Sequence, residues 1–274
     1  MKNHSPILRL VRLSALLALL LLALAPHSPA QTPIANTPQQ PAFPPLTPEA
    51  TGDILMARGQ YEAAIDAYRR APLDAVIWNK IGVAWDHLSA VTVAKADYER
   101  ALALRPDYPD ALNNLGSAWF EQKNYRKALD CYLRATSLNP RSATIQANLG
   151  TTYFALARFT EGAAAYRAAF TLDPSVLDFD VPHLDESKTS RRIRARRDYC
   201  LAEIFASQRL YNRTLDSLRH AIGEGFHNWK RLMHDSAFAQ FRLTPEFAQL
   251  MIGAAPEGIS NTPLPRSFSP FPPR

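Results

Sequence analysis

The feature that most constrains this chain is an internal period of 34 residues. Gly82, Gly116 and Gly150 are spaced by it, and so are Trp85, Trp119 and Tyr153. The same spacing links Tyr98, Tyr132 and Tyr166, then Ala101, Ala135 and Ala169, then Pro106, Pro140 and Pro174. Ala94 and Ala128 add a further column, with Gly162 as its small third member. A unit of this length cannot bury its own apolar face, so its copies must stack. Positions 78, 81, 82 and 85 follow i, i+3, i+4, i+7, one face of a first helix. Ala94, Tyr98 and Ala101 form one face of a second helix. Small residues at Gly82 and Ala94 let the two helices approach, the aromatic columns fill the space beside them, and Pro106 ends the unit.

The period also finds weaker copies. Gly52, Ala64, Tyr68 and Ala71 each precede their counterparts by 30 residues, so one deletion near Pro72–Asp74 accounts for all of them. Thr47-Pro48-Glu49 gives that first unit an N-cap, an N1 proline and a first-turn acid. Ala202, Phe205, Leu218 and Ala221 follow their counterparts by 52 residues, one period plus an insertion of 18. The insertion is placed at 175–192, and a fifth unit starts near Ala195. Beyond Ala221, Trp229, Leu232, Met233, Phe238, Phe241, Phe247, Leu250 and Met251 suggest short amphipathic helices. These read as a C-terminal cap over the last hydrophobic face.

Composition agrees with helices once the prolines are located. The chain has 22 prolines, but eight lie between Pro26 and Pro48 and six between Pro256 and Pro273. The N-terminus reads as an export signal. Lys2, Arg9 and Arg12 precede a 13-residue run from Leu13 to Ala25, apolar but for Ser14 and too short to span a bilayer. Ser28 and Ala30 place small residues before a cut at Gln31; the alternative is an uncleaved N-terminal membrane anchor. Without the segment the formal charge drops from +6 to +3, too little to argue for nucleic acid. The expected organisation is a signal peptide over 1–30, a Pro-rich linker over 31–46 and four units over 47–174. The insertion follows over 175–192, then the fifth unit and cap over 193–252 and a Pro-rich tail over 253–274.

The stretch WNKIGVAWDHL…AKADYERALALRP within 78–106 resembles the W–LG–Y–A–F–A–P pattern of the tetratricopeptide repeat. That resemblance implies an all-α, right-handed α-solenoid of about five helix-turn-helix repeats with a C-terminal helical cap. It also implies work as a non-catalytic scaffold or adaptor that binds protein partners, and no enzyme. No HExxH, GxSxG, phosphate-binding glycine loop or CxxC is present. Neither a cofactor nor a metal is expected. His220, His227 and His234 recur every seven residues, but Gly223 and Gly225 interrupt the helix that would align them. Cys131 and Cys200 fall in different units and read as packed free thiols.

Two surfaces are candidates for binding. In the implied solenoid, the columns at 79, 83 and 86 line the concave face. They give Asn79, Val83 and Asp86; Asn113, Ser117 and Phe120; Thr151 and Phe154 with Ala147; and Tyr199 and Glu203. Lys80, Asn114 and Asn148 lie adjacent. An extended peptide in this groove would meet asparagine amides for its backbone, with Phe120 and Phe154 for apolar side chains. The alternative is that these are ordinary repeat positions, with Asn114 and Asn148 purely structural. One subtype of the family grips a C-terminal carboxylate with Lys, Asn and Arg; the first unit here offers Glu49 and Asp53 instead. The second surface is the cluster Arg191, Arg192, Arg194, Arg196 and Arg197. Either Asp178, Asp180, Asp185 and Glu186 neutralise it, or it meets an anionic membrane surface or acidic partner as an envelope tether. Whether the chain self-associates is left open by the sequence.

Overall fold

The computed structural model describes residues 45–177 and 188–254, the side chains of 188, 189, 253 and 254 apart. The expected signal segment, the expected linker up to residue 44, the acidic part of the expected insertion and the C-terminal tail lie outside the described residues. The rest is helical. Consecutive helices pair antiparallel: α1 (Pro48–Ala57) with α2 (Tyr61–Tyr68), α3 (Ala75–His87) with α4 (Val91–Leu104), and α5 (Pro109–Glu121) with α6 (Tyr125–Leu138). They continue as α7 (Ala143–Ala155) with α8 (Phe159–Leu172), and α9 (Lys188–Ser207) with α10 (Tyr211–Gly223). Each pair stacks on the next, giving an all-α solenoid. A short α11 (Trp229–His234), two single 3-10 turns and α12 (Pro245–Ala254) follow.

Local chemistry sets the boundaries. Thr47 Oγ1 accepts the Ala50 N–H at 3.1 Å, and Asp74 Oδ1 accepts the N–H groups of Val76 and Ile77 at 2.9 Å. These side chains satisfy donors that the first helical turn leaves open. The turn inside each pair has one recurring form. Gly59, Ser89, Lys123, Ala157 and Arg209 occupy one column, and all have positive φ, 70° at the glycine and 58° at the others. The next residue then donates back to the helix end: Ala90 to Trp85 O at 2.9 Å, Asn124 to Trp119 O at 2.9 Å and Arg158 to Tyr153 O at 2.8 Å. This is the Schellman closure, which uses carbonyls the helix end leaves free.

The glycine column explains why the helices of a pair lie so close. A methyl group on Gly82, Gly116 or Gly150 would overlap the ring of Tyr98, Tyr132 or Tyr166. The Ala94, Ala101, Ala128, Ala135 and Ala169 side chains are fully buried beside those rings. One apolar cluster runs from Phe120 to Phe205 through the third to fifth pairs. A second joins Ala195, Tyr199 and Leu218 to Phe226, Trp229, Phe238, Phe241 and Phe247. The segment after α10 therefore covers the last pair, as a solenoid end requires.

α9 differs from expectation at its start. It begins at Lys188, about two turns before Ala195, so the last five residues of the expected insertion, 188–192, are helix. The arginine cluster consequently lies along the first three turns of α9.

Candidate partner-binding face

In the first four pairs the tyrosine of the second helix crosses the glycine of the first and bonds a polar group there. Tyr68 donates to Asp53 Oδ1 at 2.8 Å. The Tyr132 and Ser117 hydroxyls lie 3.0 Å apart, as do those of Tyr166 and Thr151. These partners all occupy the position directly after the glycine. In the second pair that position is Val83, and Tyr98 donates instead to Asp86.

Beside this column a run of side-chain amides crosses three first helices. Asn148 Nδ2 donates to Asn113 Oδ1 at 2.9 Å, and Asn114 Nδ2 donates to Asn79 Oδ1 at 3.0 Å. Asn113 Nδ2 closes the run with a longer bond to Asn114 Oδ1 at 3.3 Å. Asn79 in turn lies beside the Tyr108 phenol. One step toward the N-terminus the same register holds ions. Lys80 Nζ reaches Glu49 Oε1 at 2.8 Å and Asp53 Oδ1 at 2.7 Å. Burial would raise the Asp53 carboxyl, yet Lys80 and Tyr68 hold it below its ordinary value. The acids that depart from the carboxylate-gripping subtype therefore serve as partners for Lys80.

The structure corrects part of the expected groove. Phe120 and Phe154 do not present rings to a partner. Phe120 is buried against Tyr125 with ring centroids 5.0 Å apart. Phe154 is wholly buried between Phe159 and Tyr166 and packs on Gly162. The reason is angular: a step of three residues turns about 60° short of a full helical circuit, which swings both rings toward the second helix. Asn79, Thr151 and Tyr199 are also buried. Val83 packs, half-buried, against the cluster around Tyr98 and Leu115. Asn113, Asn114, Ser117, Asn148 and Asp86 keep partial exposure.

At the C-terminal end Tyr199 and Glu203 are occupied by the cap. Tyr199 stacks on Phe226 at 4.4 Å and donates to Asp235 Oδ2 at 2.9 Å. Arg231 reaches Glu203 Oε1 at 2.8 Å. Burial, and then a hydrogen bond with Asp235, raises the Glu203 carboxyl against the pull of Arg231. Arg231 and Asp235 were invisible to the repeat pattern, because the period fades before them.

The arginine cluster is divided. Arg194 grips Glu224 with two bonds of 2.9 Å, and Arg191 approaches the same carboxylate at 3.7 Å. Arg194 is the first cause that holds Glu224 below the usual carboxylate range. Arg197 pairs with buried Asp198 at 2.8 Å, and Arg196 lies near the rings of Phe159 and Tyr199. Arg191 and Arg192 remain exposed. Glu224 and Asp198 are thus the acids seen on this cluster; Asp178, Asp180, Asp185 and Glu186 lie outside the described residues. Cys131 and Cys200 are buried free thiols, raised by burial to about 11. Among the described residues no group of three His, Cys, Asp or Glu is placed to hold a metal, and no helix is long and apolar enough to cross a membrane.

Stacked helix pairs with a polar face along the first helices define a helical-repeat solenoid. Residues 109–142 and 143–176 each match a family model of the tetratricopeptide repeat. The chain carries tetratricopeptide repeats, the units of a class of protein–protein interaction scaffolds that is generally non-catalytic. It is similar to the crystal structure of MamA, at 19% identity and a TM-score of 0.45, over 67% of this chain and 97% of that one. It is also similar to a chain in the crystal structure of the APC/C hetero-tetramer Cut9–Hcn1. There the identity is 16% and the TM-score 0.48, over 76% of this chain and 36% of that one. No curated protein matches the sequence.

Proposed function

We propose that this chain is an exported adaptor of the cell envelope that holds an extended segment of a partner protein along its first-helix face. The observation that carries this reading is the amide run of Asn79, Asn114, Asn113 and Asn148. A side-chain amide has two N–H donors and two acceptor sites. Asn113 and Asn114 each spend one donor and one acceptor on their neighbours, and the remainder suits the backbone of an extended peptide. The internal bonds fix the amides in advance, which lowers the ordering cost of binding.

The test is site-resolved crosslinking in an envelope extract. A photocrosslinking residue at Asn113 or Asn148 is expected to capture one protein, and the same residue at exposed Leu104 is not. Asn113→Ala with Asn148→Ala should lose that protein while the thermal melt stays helical and cooperative. Equal capture from Leu104, or capture undiminished in the double variant, would remove the reading. Export with cleavage after Ala30 is part of the proposal, and sequencing the N-terminus of the protein from its source checks it. A start at Met1 would replace cleavage with an uncleaved anchor. The tether reading keeps Arg191 and Arg192 as its exposed charges, since Arg194 and Arg197 have internal partners. Binding to anionic vesicles that survives glutamine at both positions would dismiss it.

A further inference from the structure

The four pairs that carry the tyrosine column are close copies, and the second departs from the others at one point. Asp53, Ser117 and Thr151 take the tyrosine hydroxyl in the first, third and fourth pairs. Val83 cannot, and Asp86, three residues further along α3, does so instead. This draws a carboxyl group between α3 and α4. Its Oδ2 receives the Tyr98 hydroxyl, while its Oδ1 is sealed from solvent and has no hydrogen-bond partner among the described residues. An ionised carboxylate has about four acceptor sites to satisfy, and here one donor serves them. A neutral carboxyl loses far less by the same burial.

We infer that Asp86 is a proton-operated latch between α3 and α4. Neutral, it stays closed on Tyr98. Ionised, it still accepts from Tyr98, but its sealed Oδ1 must find water or further donors, and that loosens α3 from α4.

The groups that face Asp86 act in both directions, and burial outweighs the rest. Burial lifts its carboxyl from 3.8 to about 6, and the negative charge of Glu121 on α5 adds to the lift. Tyr98 on α4 and His87 beside it on α3 pull the other way. A carboxyl raised in the folded state binds more protons there than in the unfolded chain between those two values. Stability from this group is therefore complete below about pH 4 and is lost as the pH rises through about 6. A displacement of about two pKa units weights the folding equilibrium by up to about a hundredfold. Partial solvent access at Asp86 reduces the expected effect to about tenfold.

The experiment follows the carboxyl carbon of Asp86 by NMR through a pH titration of the full chain. Folding equilibria are measured alongside from pH 4.5 to 7.5 for the native chain, Asp86→Asn and Val83→Thr. Asp86 is expected to titrate near 6. Relative to Asp86→Asn, the native folding constant should fall about tenfold across that range, and the histidines, common to both chains, cancel in the comparison. Val83→Thr restores the acceptor that the other pairs use, frees the Asp86 carboxyl to turn into water, and by removing its burial should bring the Asp86 titration down toward the ordinary range. An Asp86 that titrates near 4 in the native chain would overturn the inference. So would pH profiles for the native chain and Asp86→Asn that run parallel. The native titration decides alone if Asp86→Asn does not fold.

Discussion

At the residue scale the fold rests on pairs of one large and one minimal side chain. The Tyr166 ring sits where a Gly150 side chain would be, and the Gly162 carbonyl would lie 3.2 Å from an added methyl. Neither backbone can retreat without parting α7 from α8. Gly150→Ala is expected to destabilise by about 2–3 kcal/mol in chemical denaturation, since overpacking a tight core is felt in full. The left-handed turn column points the opposite way. Ala157 holds φ at 58° with a side chain that disfavours that region. Ala157→Gly should raise stability by about 0.5 kcal/mol, the local relief being offset in part by the freer unfolded chain. Cys131 and Cys200 give a third check. Their thiols, raised by burial to about 11, stay protonated at pH 8. A disulfide-exchange reagent should therefore modify neither until the chain unfolds.

At the element scale the helices differ in what ends them and in which face they spend on a neighbour. α3 and α7 open on side-chain caps, whereas α4 and α8 open directly from the left-handed turn, with no capping bond at Ala90 or Arg158. Periodicity made the packing faces of α3, α5 and α7 legible, since it reports which residues share a side. It did not separate a groove position from one turned toward the second helix, because the two differ by about 60°. Phe154→Ala should accordingly unfold the fourth pair at a cost of about 3–5 kcal/mol, as for other buried aromatic rings, and makes a poor probe of binding. α9 is tied to the end of α10 by the paired bonds of Arg194 to Glu224. Glu224→Gln is expected to cost about 1 kcal/mol, a charge-assisted bond discounted for its exposure. The sign with pH is fixed by a carboxyl held below its ordinary value. Its stabilisation is present above the unfolded value of 4.5 and fades as the pH falls through the lower folded value.

At the scale of the whole molecule, a solenoid has two ends and a core that is built pair by pair along its length. The C-terminal end is closed by Phe226, Trp229, Leu232, Phe238, Phe241 and Phe247 over Tyr199 and Leu218. A chain ending at Glu224 should expose that face. It is expected to elute as aggregate in size-exclusion chromatography, or to melt several degrees lower, while the chain through Ala254 stays a single species. By itself the sequence determined the repeat length, the helix pairs and the small and aromatic columns. Each of these follows from contacts within about 34 residues that recur in every copy. It also supplied the asparagines at 79, 113, 114 and 148, though not that they bond in one run. Tertiary structure alone decided that Phe120 and Phe154 are core, that Glu203 belongs to the cap, and that Arg194 and Arg197 are spent internally. Only it showed that Val83 passes the Tyr98 hydroxyl to a buried Asp86. The division has a physical reason: a period states which residues share a helix face, but burial and charge pairing depend on the neighbour that face meets. At the insertion and the cap, that neighbour is not another copy of the repeat.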